Sequence, residues 1–334
     1  MNKKTLTIAL ALAAAYVTGA DAKEPWLLFK LADAQEMFPS GISGHNAIVG
    51  TYVDTPYGVY RSFLRTPDGS VRNIDPPDSV GAFGIGINLS GTTIGYYAKS
   101  DFVTRSFIRD TVGNYKTIDV PGADLTKVMA INNDGAIVGT YDTAGSDSGF
   151  LRKPDGTITS FAPPASHLIT SLDMNNKGWI AGTFLDTSSV RLSFVRDRQG
   201  NITVFSVPGT AETEAQRIND SGAVLGNYRI NDSDSSTHGF LRAPDGTITT
   251  IDVAGAKTTE LGSINYLGQI VGCFEDTANA WHGFVRDTDG SVIQLDAPGA
   301  ASTCASVIAA DGKVAGSADT LGAFRLNRKG WKGE

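Results

Sequence analysis

An all-β chain built from seven copies of one four-stranded repeat is what the sequence predicts, and two recurring phrases predict it. The first reads His238-Gly-Phe-Leu-Arg-Ala-Pro-Asp-Gly-Thr-Ile-Thr-Thr-Ile-Asp252 and is anchored on Phe63, Phe107, Phe150, Phe194, Phe240, Phe284 and Phe324. The anchors fall at intervals of 44, 43, 44, 46, 44 and 40 residues. The second is clearest at Ile131-Asn-Asn-Asp-Gly-Ala-Ile-Val-Gly-Thr-Tyr141 and is anchored on Ile42, Ile87, Ile131, Met174, Ile218, Ile264 and Ile308. A period near 44 residues with about four short strands per period is the signature of a β-propeller blade, so the expected architecture is a seven-bladed β-propeller.

Each repeat is expected to run through strands a, b, c and d. Strand a ends on Ile-Asn, and a turn such as Asn-Asn-Asp-Gly (132–135) or Asn-Asp-Ser-Gly (219–222) leads into b. Strand b, Ile-Val-Gly-x-Tyr, carries small residues where an inner position is crowded. Strand c, Gly-Phe-Leu-Arg, meets d through Thr66-Pro-Asp-Gly69, Lys153-Pro-Asp-Gly156 or Asp197-Arg-Gln-Gly200. Proline presets φ, Asp caps its own backbone, and Gly takes the left-handed conformation that closes a hairpin. Strand d, as in Thr247-Ile-Thr-Thr-Ile-Asp252, alternates apolar and polar residues, the pattern of a half-exposed strand. This layout resembles that of the kelch repeat, although the Gly-Gly and Tyr/Trp pairs of kelch are missing.

The two ends of the chain complete each other. Trp26-Leu-Leu-Phe-Lys-Leu31 reads as an orphan strand d, and Ala323-Phe-Arg-Leu-Asn-Arg-Lys-Gly330 contains an orphan strand c. The N-terminal strand is therefore expected to pair into the last blade and close the ring. Before it, Lys3 and Lys4, the apolar run Leu6–Val17 and Ala20-Asp-Ala22 have the form of a secretory signal peptide cut after Ala22. The expected organisation is a leader over 1–22 and one propeller over 23–334, secreted or periplasmic, with no membrane span.

Composition narrows the function classes. The chain has 28 Lys and Arg against 35 Asp and Glu; without Lys3, Lys4 and Asp21 the count is 26 against 34, or −8. That acidic balance, with no basic run, argues against nucleic acid. Neither the two cysteines nor the four scattered histidines (45, 167, 238 and 282) show metal-ligand spacing, so no metal and no cofactor is expected.

The phrase His-Gly-Phe-Leu-Arg-x-Pro-Asp-Gly, then Ile-Asp-x-Pro-Gly-Ala and Ile-Asn-x-x-Gly-x-Ile-Val-Gly, resembles the bacterial extracellular HAF repeat. The good copies are Gly149–Pro164, His238–Gly255 and His282–Gly299, with Ile131–Tyr141 and Ile264–Phe274 for the second half. Ser62, Ser106 and Ser193 depart from it, as does the displaced Arg after Phe324. The resemblance implies an extracellular location and the repeat fold, and it implies no activity.

Most recurring polar residues read as scaffold. Arg65, Arg109, Arg152, Arg196, Arg242 and Arg286 in strand c, with Asp75, Asp119, Asp252 and Asp296 at the ends of d, suggest ion pairs on blade edges. Asp54-Thr55, Asp142-Thr143, Asp186-Thr187, Asp276-Thr277 and Asp319-Thr320 suggest Asx or Ser/Thr turns rather than a calcium ring. His238 and His282 occupy one register, shared with Arg61 and Arg105; His167 is placed in a d–a loop and His45 in a hairpin turn.

Residues that break the repeat are the candidate site. Four before each anchor stand Phe38, Phe83, Lys127, Thr170, Glu214, Glu260 and Cys304; one before stand Gly41, Gly86, Ala130, Asp173, Arg217, Ser263 and Val307. Lys127, Asp173, Glu214, Arg217 and Glu260 are charged where small or apolar residues would serve packing, which suggests either an internal salt-bridge network or a polar ligand site around the axis. Tyr57, Tyr60, Phe102 and Trp281, expected in b–c loops on the same face, are candidates for stacking on sugars or gripping a protein, with His282 at the rim. Cys273 and Cys304 are expected at similar height in neighbouring blades, where they could form a disulfide.

The function expected is that of a monomeric ligand-binding module for an extracellular glycan or protein. A glycan-active lyase or hydrolase using Glu214 or Glu260 as general acid or base, and a purely structural surface protein, are the alternatives.

Overall fold

The computed structural model describes residues 26–55, 57–143, 146–231, 233 and 236–327. The expected leader over 1–22 lies outside the described residues. The chain is all-β, with a single three-residue 3-10 turn at Asp319–Leu321 among the described residues. No helix in this part is long and apolar enough to cross a membrane.

The strands follow one another as antiparallel meanders in the order a-b-c-d. In repeat 1 they are Ala34–Ile42, Ile48–Asp54, Tyr60–Arg65 and Val71–Asn73. Among the described residues there are five separate four-stranded sheets and one eight-stranded sheet, in which repeats 4 and 5 are joined by a parallel bridge, Arg191 to Glu212. The N-terminal strand Trp26–Phe29 pairs with Ala323–Leu326, Trp26 opposite Leu326 and Phe29 opposite Ala323, and so supplies strand d of repeat 7. Trp26 packs edge-on against Phe324, with centroids 5.0 Å apart.

The two phrases are two halves of one packing device. The Gly of strand b lies directly opposite the anchoring Phe of strand c in every repeat, from Gly50 and Phe63 to Gly316 and Phe324. All seven Phe rings are fully buried. A Cβ on Gly226 would lie 2.0 Å from the Glu214 carbonyl oxygen and 2.7 Å from the Phe240 ring, so only glycine lets strands a and b close over that ring. The turns behave as their residues predict: Gly69 and Gly246 close c–d hairpins at φ 96° and 95°.

Between repeats, each strand a touches strand a of the next, and Cys304–Ile308 in turn touches Ala34–Ile42. Strand a also carries a bulge. In repeats 1, 2, 3, 5, 6 and 7 its register with b shifts between the third residue and the one immediately before the anchor; in repeat 4 the shift falls earlier, between Ile169 and Ser171. A bulge leaves one residue unpaired and re-aims its neighbours.

Candidate functional site

Through this bulge the residues just before the anchors come together. Gly41, Gly86, Ala130, Asp173, Arg217, Ser263 and Val307, one from each strand a, line a cavity of about 310 Å³. Ser40, Ile42, Ile85, Ile87, Met129, Ile131 and Ile308 complete its lining. Asp173 Oδ2 accepts the Ile218 N–H at 2.9 Å, reaching into the next repeat. Arg217 Nη1 donates to the Gln216 carbonyl at 2.9 Å. Burial pushes the Asp173 carboxyl above its usual range, although the Arg217 charge and the Ile218 N–H pull against it. Among the described residues, no Asp173–Arg217 ion pair lies within 4.0 Å.

Of the residues four before the anchors, several meet partners in adjacent repeats. Phe83, Lys127, Glu214 and Cys304 fill seams between repeats. Lys127 Nζ sits 4.6 Å from the centroid of the Tyr96 ring in strand b of the preceding repeat, and burial lowers its pKa. At the equivalent seam a disulfide joins Cys304 to Cys273 of the preceding repeat's strand b, with Cα atoms 4.8 Å apart. Phe83 stacks between Tyr60 of repeat 1 and Tyr96, at 4.9 and 4.8 Å. Glu214 pairs with Arg191 of repeat 4, and Glu212 with Arg229 at 2.6 Å; these four residues line a crevice of about 220 Å³ with Asn227, Tyr228 and Thr237. Thr170 is the bulged residue of repeat 4. Phe38 is 41% exposed. Glu260 is exposed and has no hydrogen-bond or ion-pair partner among the described residues, and desolvation raises its pKa.

On the b–c side, Tyr57 and Phe102 stand in loops at 80% and 81% exposure, so neither tucks under its own loop. Phe102 adopts φ 57°, a left-handed conformation unusual for an aromatic residue. Tyr60 and Trp281 begin strands c rather than lying in loops; Tyr60 is 47% exposed and Trp281 half-buried. The Asp-Thr pairs are turns where their bonds are visible: Asp54 accepts Val59 N–H at 2.9 Å, and Asp276 accepts Ala278 and Ala280 N–H at 2.8 Å.

Two expectations are corrected. The strand-c arginines do not pair with the strand-d aspartates. Arg65, Arg196 and Arg242 lie over Phe29, Phe161 and Phe205 of the preceding repeat's strand d, at 5.3, 5.2 and 5.0 Å, and donate to the next carbonyl in sequence. The aspartates instead hold the basic side chains near the start of strand c: Arg61 with Asp75 at 3.3 Å, His238 with Asp252 at 3.2 Å, and His282 with Asp296 at 2.7 Å. The cause is geometric, because strand c is antiparallel to d and its Arg lies at the end nearest the c–d turn, remote from the end of d. His167 lies within strand a of repeat 4, Ser166–Met174, not in a loop.

The opposite end of the axis carries a feature that the sequence reading took only as a turn. Asn175 Nδ2 donates to the Asn219 carbonyl at 2.9 Å, Asn219 to Asn265 at 3.1 Å, and Asn265 to Ala309 at 3.3 Å. Each Asn thereby closes its own turn and grips the next repeat. The regular Asn one residue after the anchor, replaced by Ser43 and Ala309 where repeats 7 and 1 meet, was the available signal.

No family profile and no curated protein matches the chain. Solved structures do. A catalytically inactive virginiamycin B lyase from Staphylococcus aureus, solved with quinupristin, aligns with TM-score 0.63 and 13% identity over 90% of this chain and 98% of that one. TolB from Acinetobacter baumannii aligns with TM-score 0.52 and 12% identity, covering 72% of this chain and 61% of that one. A prolyl endopeptidase aligns with TM-score 0.57 and 11% identity over 85% of this chain and 46% of its own length. At these identities the likeness shows the fold, a β-propeller, and nothing of the chemistry.

Proposed function

We propose that the chain is a closed seven-bladed propeller, exported after removal of residues 1–22, that binds an extracellular glycan on its b–c loop face. The cycle of strand-a contacts and the pairing of Trp26–Phe29 into repeat 7 support the closed, seven-bladed count. The binding reading rests above all on Tyr57 and Phe102, aromatic rings left in solvent on adjacent repeats of a rigid scaffold. Exposed rings of this kind serve as stacking platforms, and truncating such an anchor at an interface costs about 2 kcal/mol or more.

Glu260 supports a second, catalytic reading: a carboxyl without a partner among the described residues, raised by desolvation, can serve as a general acid. One experiment addresses both. The mature protein is screened on a glycan array, and hits are assayed for new reducing ends. Binding that falls at least tenfold in both Tyr57→Ala and Phe102→Ala, without product, supports the module. Product that disappears in Glu260→Gln supports an enzyme. A glycan bound equally by both aromatic variants overturns the loop-face site, and an array with no hit turns the reading towards a protein ligand or a structural role.

A further inference from the structure

The axial cavity contains one carboxylate and one guanidinium that are neighbours, yet do not close on each other. Asp173 and Arg217 come from adjacent repeats at the same register, and the other five residues at this register are Gly, Gly, Ala, Ser and Val. Both side chains are tethered to backbone groups, Asp173 to the Ile218 N–H and Arg217 to the Gln216 carbonyl, so neither is free to swing wholly towards the other. The result is two opposite charges facing one 310 Å³ space without an ion pair within 4.0 Å.

We propose that this cavity binds a small zwitterion of amino-acid size, with its ammonium on Asp173 and its carboxylate on Arg217. A simple cation would satisfy Asp173 and leave the guanidinium facing it; a simple anion would do the reverse. A zwitterion answers both charges and brings no net charge into a partly enclosed cavity, where an uncompensated ion is expensive. The isoleucines and Met129 of the wall suit the methylene segment between its two ends. The space equals roughly ten waters at about 30 Å³ each, which admits such a molecule and excludes a folded chain. A guanidinium offers paired donors to a carboxylate, so Arg217 fixes orientation as well as charge. Burial of Asp173 adds a further incentive, because an ammonium beside it restores the ionised form.

The test is titration calorimetry on the mature protein with glycine, β-alanine and 4-aminobutanoate, compared with propylammonium and propanoate. At least one zwitterion is expected to bind saturably, at least tenfold more tightly than either singly charged compound. Asp173→Asn and Arg217→Gln, each first checked for an unchanged melting profile, are expected to weaken that binding at least tenfold. The proposal is overturned when no zwitterion binds up to about 10 mM, when a singly charged analogue binds as well, or when folded variants bind unchanged. The analogue comparison uses the unmutated protein, so a variant that fails to fold does not block the test. Tyr57→Ala leaves this binding intact, which keeps its failure separate from that of the loop-face site.

Discussion

Removing the disulfide tests the seam between repeats 6 and 7 most directly. Cys273 and Cys304 are separated by 31 residues in sequence. On the chain-entropy relation, closing a loop of that length removes about 12 cal/mol/K from the unfolded ensemble, or roughly 3.7 kcal/mol at 25 °C. A folded unit of roughly 300 residues has an unfolding entropy of about 0.63 kcal/mol/K near its midpoint, so the expected fall in Tm is about 6 °C. The assay is differential scanning calorimetry of the oxidised protein, the same protein under reductant, and Cys273→Ala/Cys304→Ser. The last two should melt together and below the first. Lys127→Met is the control, because Lys127 over Tyr96 occupies the same seam position without a covalent link. A cation–π contact contributes about 0.5 to 2 kcal/mol, or less than about 3 °C here. A reduced protein melting within about 1 °C of the oxidised one would refute the assignment of this seam to the disulfide.

Three further outcomes are expected. Deleting residues 23–33 exposes Ala323–Leu326 as an unpaired edge and removes the buried Phe29, so the truncated protein should aggregate by light scattering and melt well below the full mature chain; an unchanged Tm would reject closure by the N-terminal strand. His282 has its pKa raised, first by its bond to Asp296 and then by Asp276, so its stabilisation is complete below the unfolded value of about 6.5 and is lost as pH rises through the folded value. The Tm gap between the native protein and His282→Gln should therefore be wider at pH 5.5 than at pH 8.5, and a flat gap would refute the linkage. Asn219→Ala removes the acceptor of the Ser221 and Ala223 N–H groups and the donor to Asn265, leaving buried groups unpaired at a cost of about 2 to 3 kcal/mol, read as a Tm loss of about 3 to 5 °C.

The fold was legible because its strongest constraints are local and repeated. The Asp-Gly turns and the recurring Gly and Phe each show themselves within a few residues, repetition removes the ambiguity of one copy, and the two end strands complement each other. The bulge in strand a was not legible, since a register shift leaves no mark on an apolar strand until its partner is known. That single omission blurred the candidate site. It hid why Asp173 and Arg217 turn to the axis while Lys127 and Glu214 turn into seams. Inter-repeat partners were hidden for the same reason: Asn175 and Asn219 are 44 residues apart, and a turn-forming Asn looks identical whether or not its amide reaches the next repeat.

Position within the repeat decides which departures from its pattern meet a neighbouring repeat. At three seams a departure is absorbed by the scaffold, because it meets a neighbour there: Lys127 finds Tyr96, Cys304 finds Cys273, and Glu214 finds Arg191. Three different chemistries solve one packing problem. At the axis the charged side chains meet backbone groups and not each other, and at the loop tips the two rings stand in solvent. Asp173 and Arg217 share a cavity without pairing, and Tyr57 and Phe102 stand in water. A scaffold gains nothing from a charge or a ring held in such places, whereas a binding surface does. Those four residues are therefore the first to vary in a binding assay, and Glu260, exposed and without a partner among the described residues, is the next.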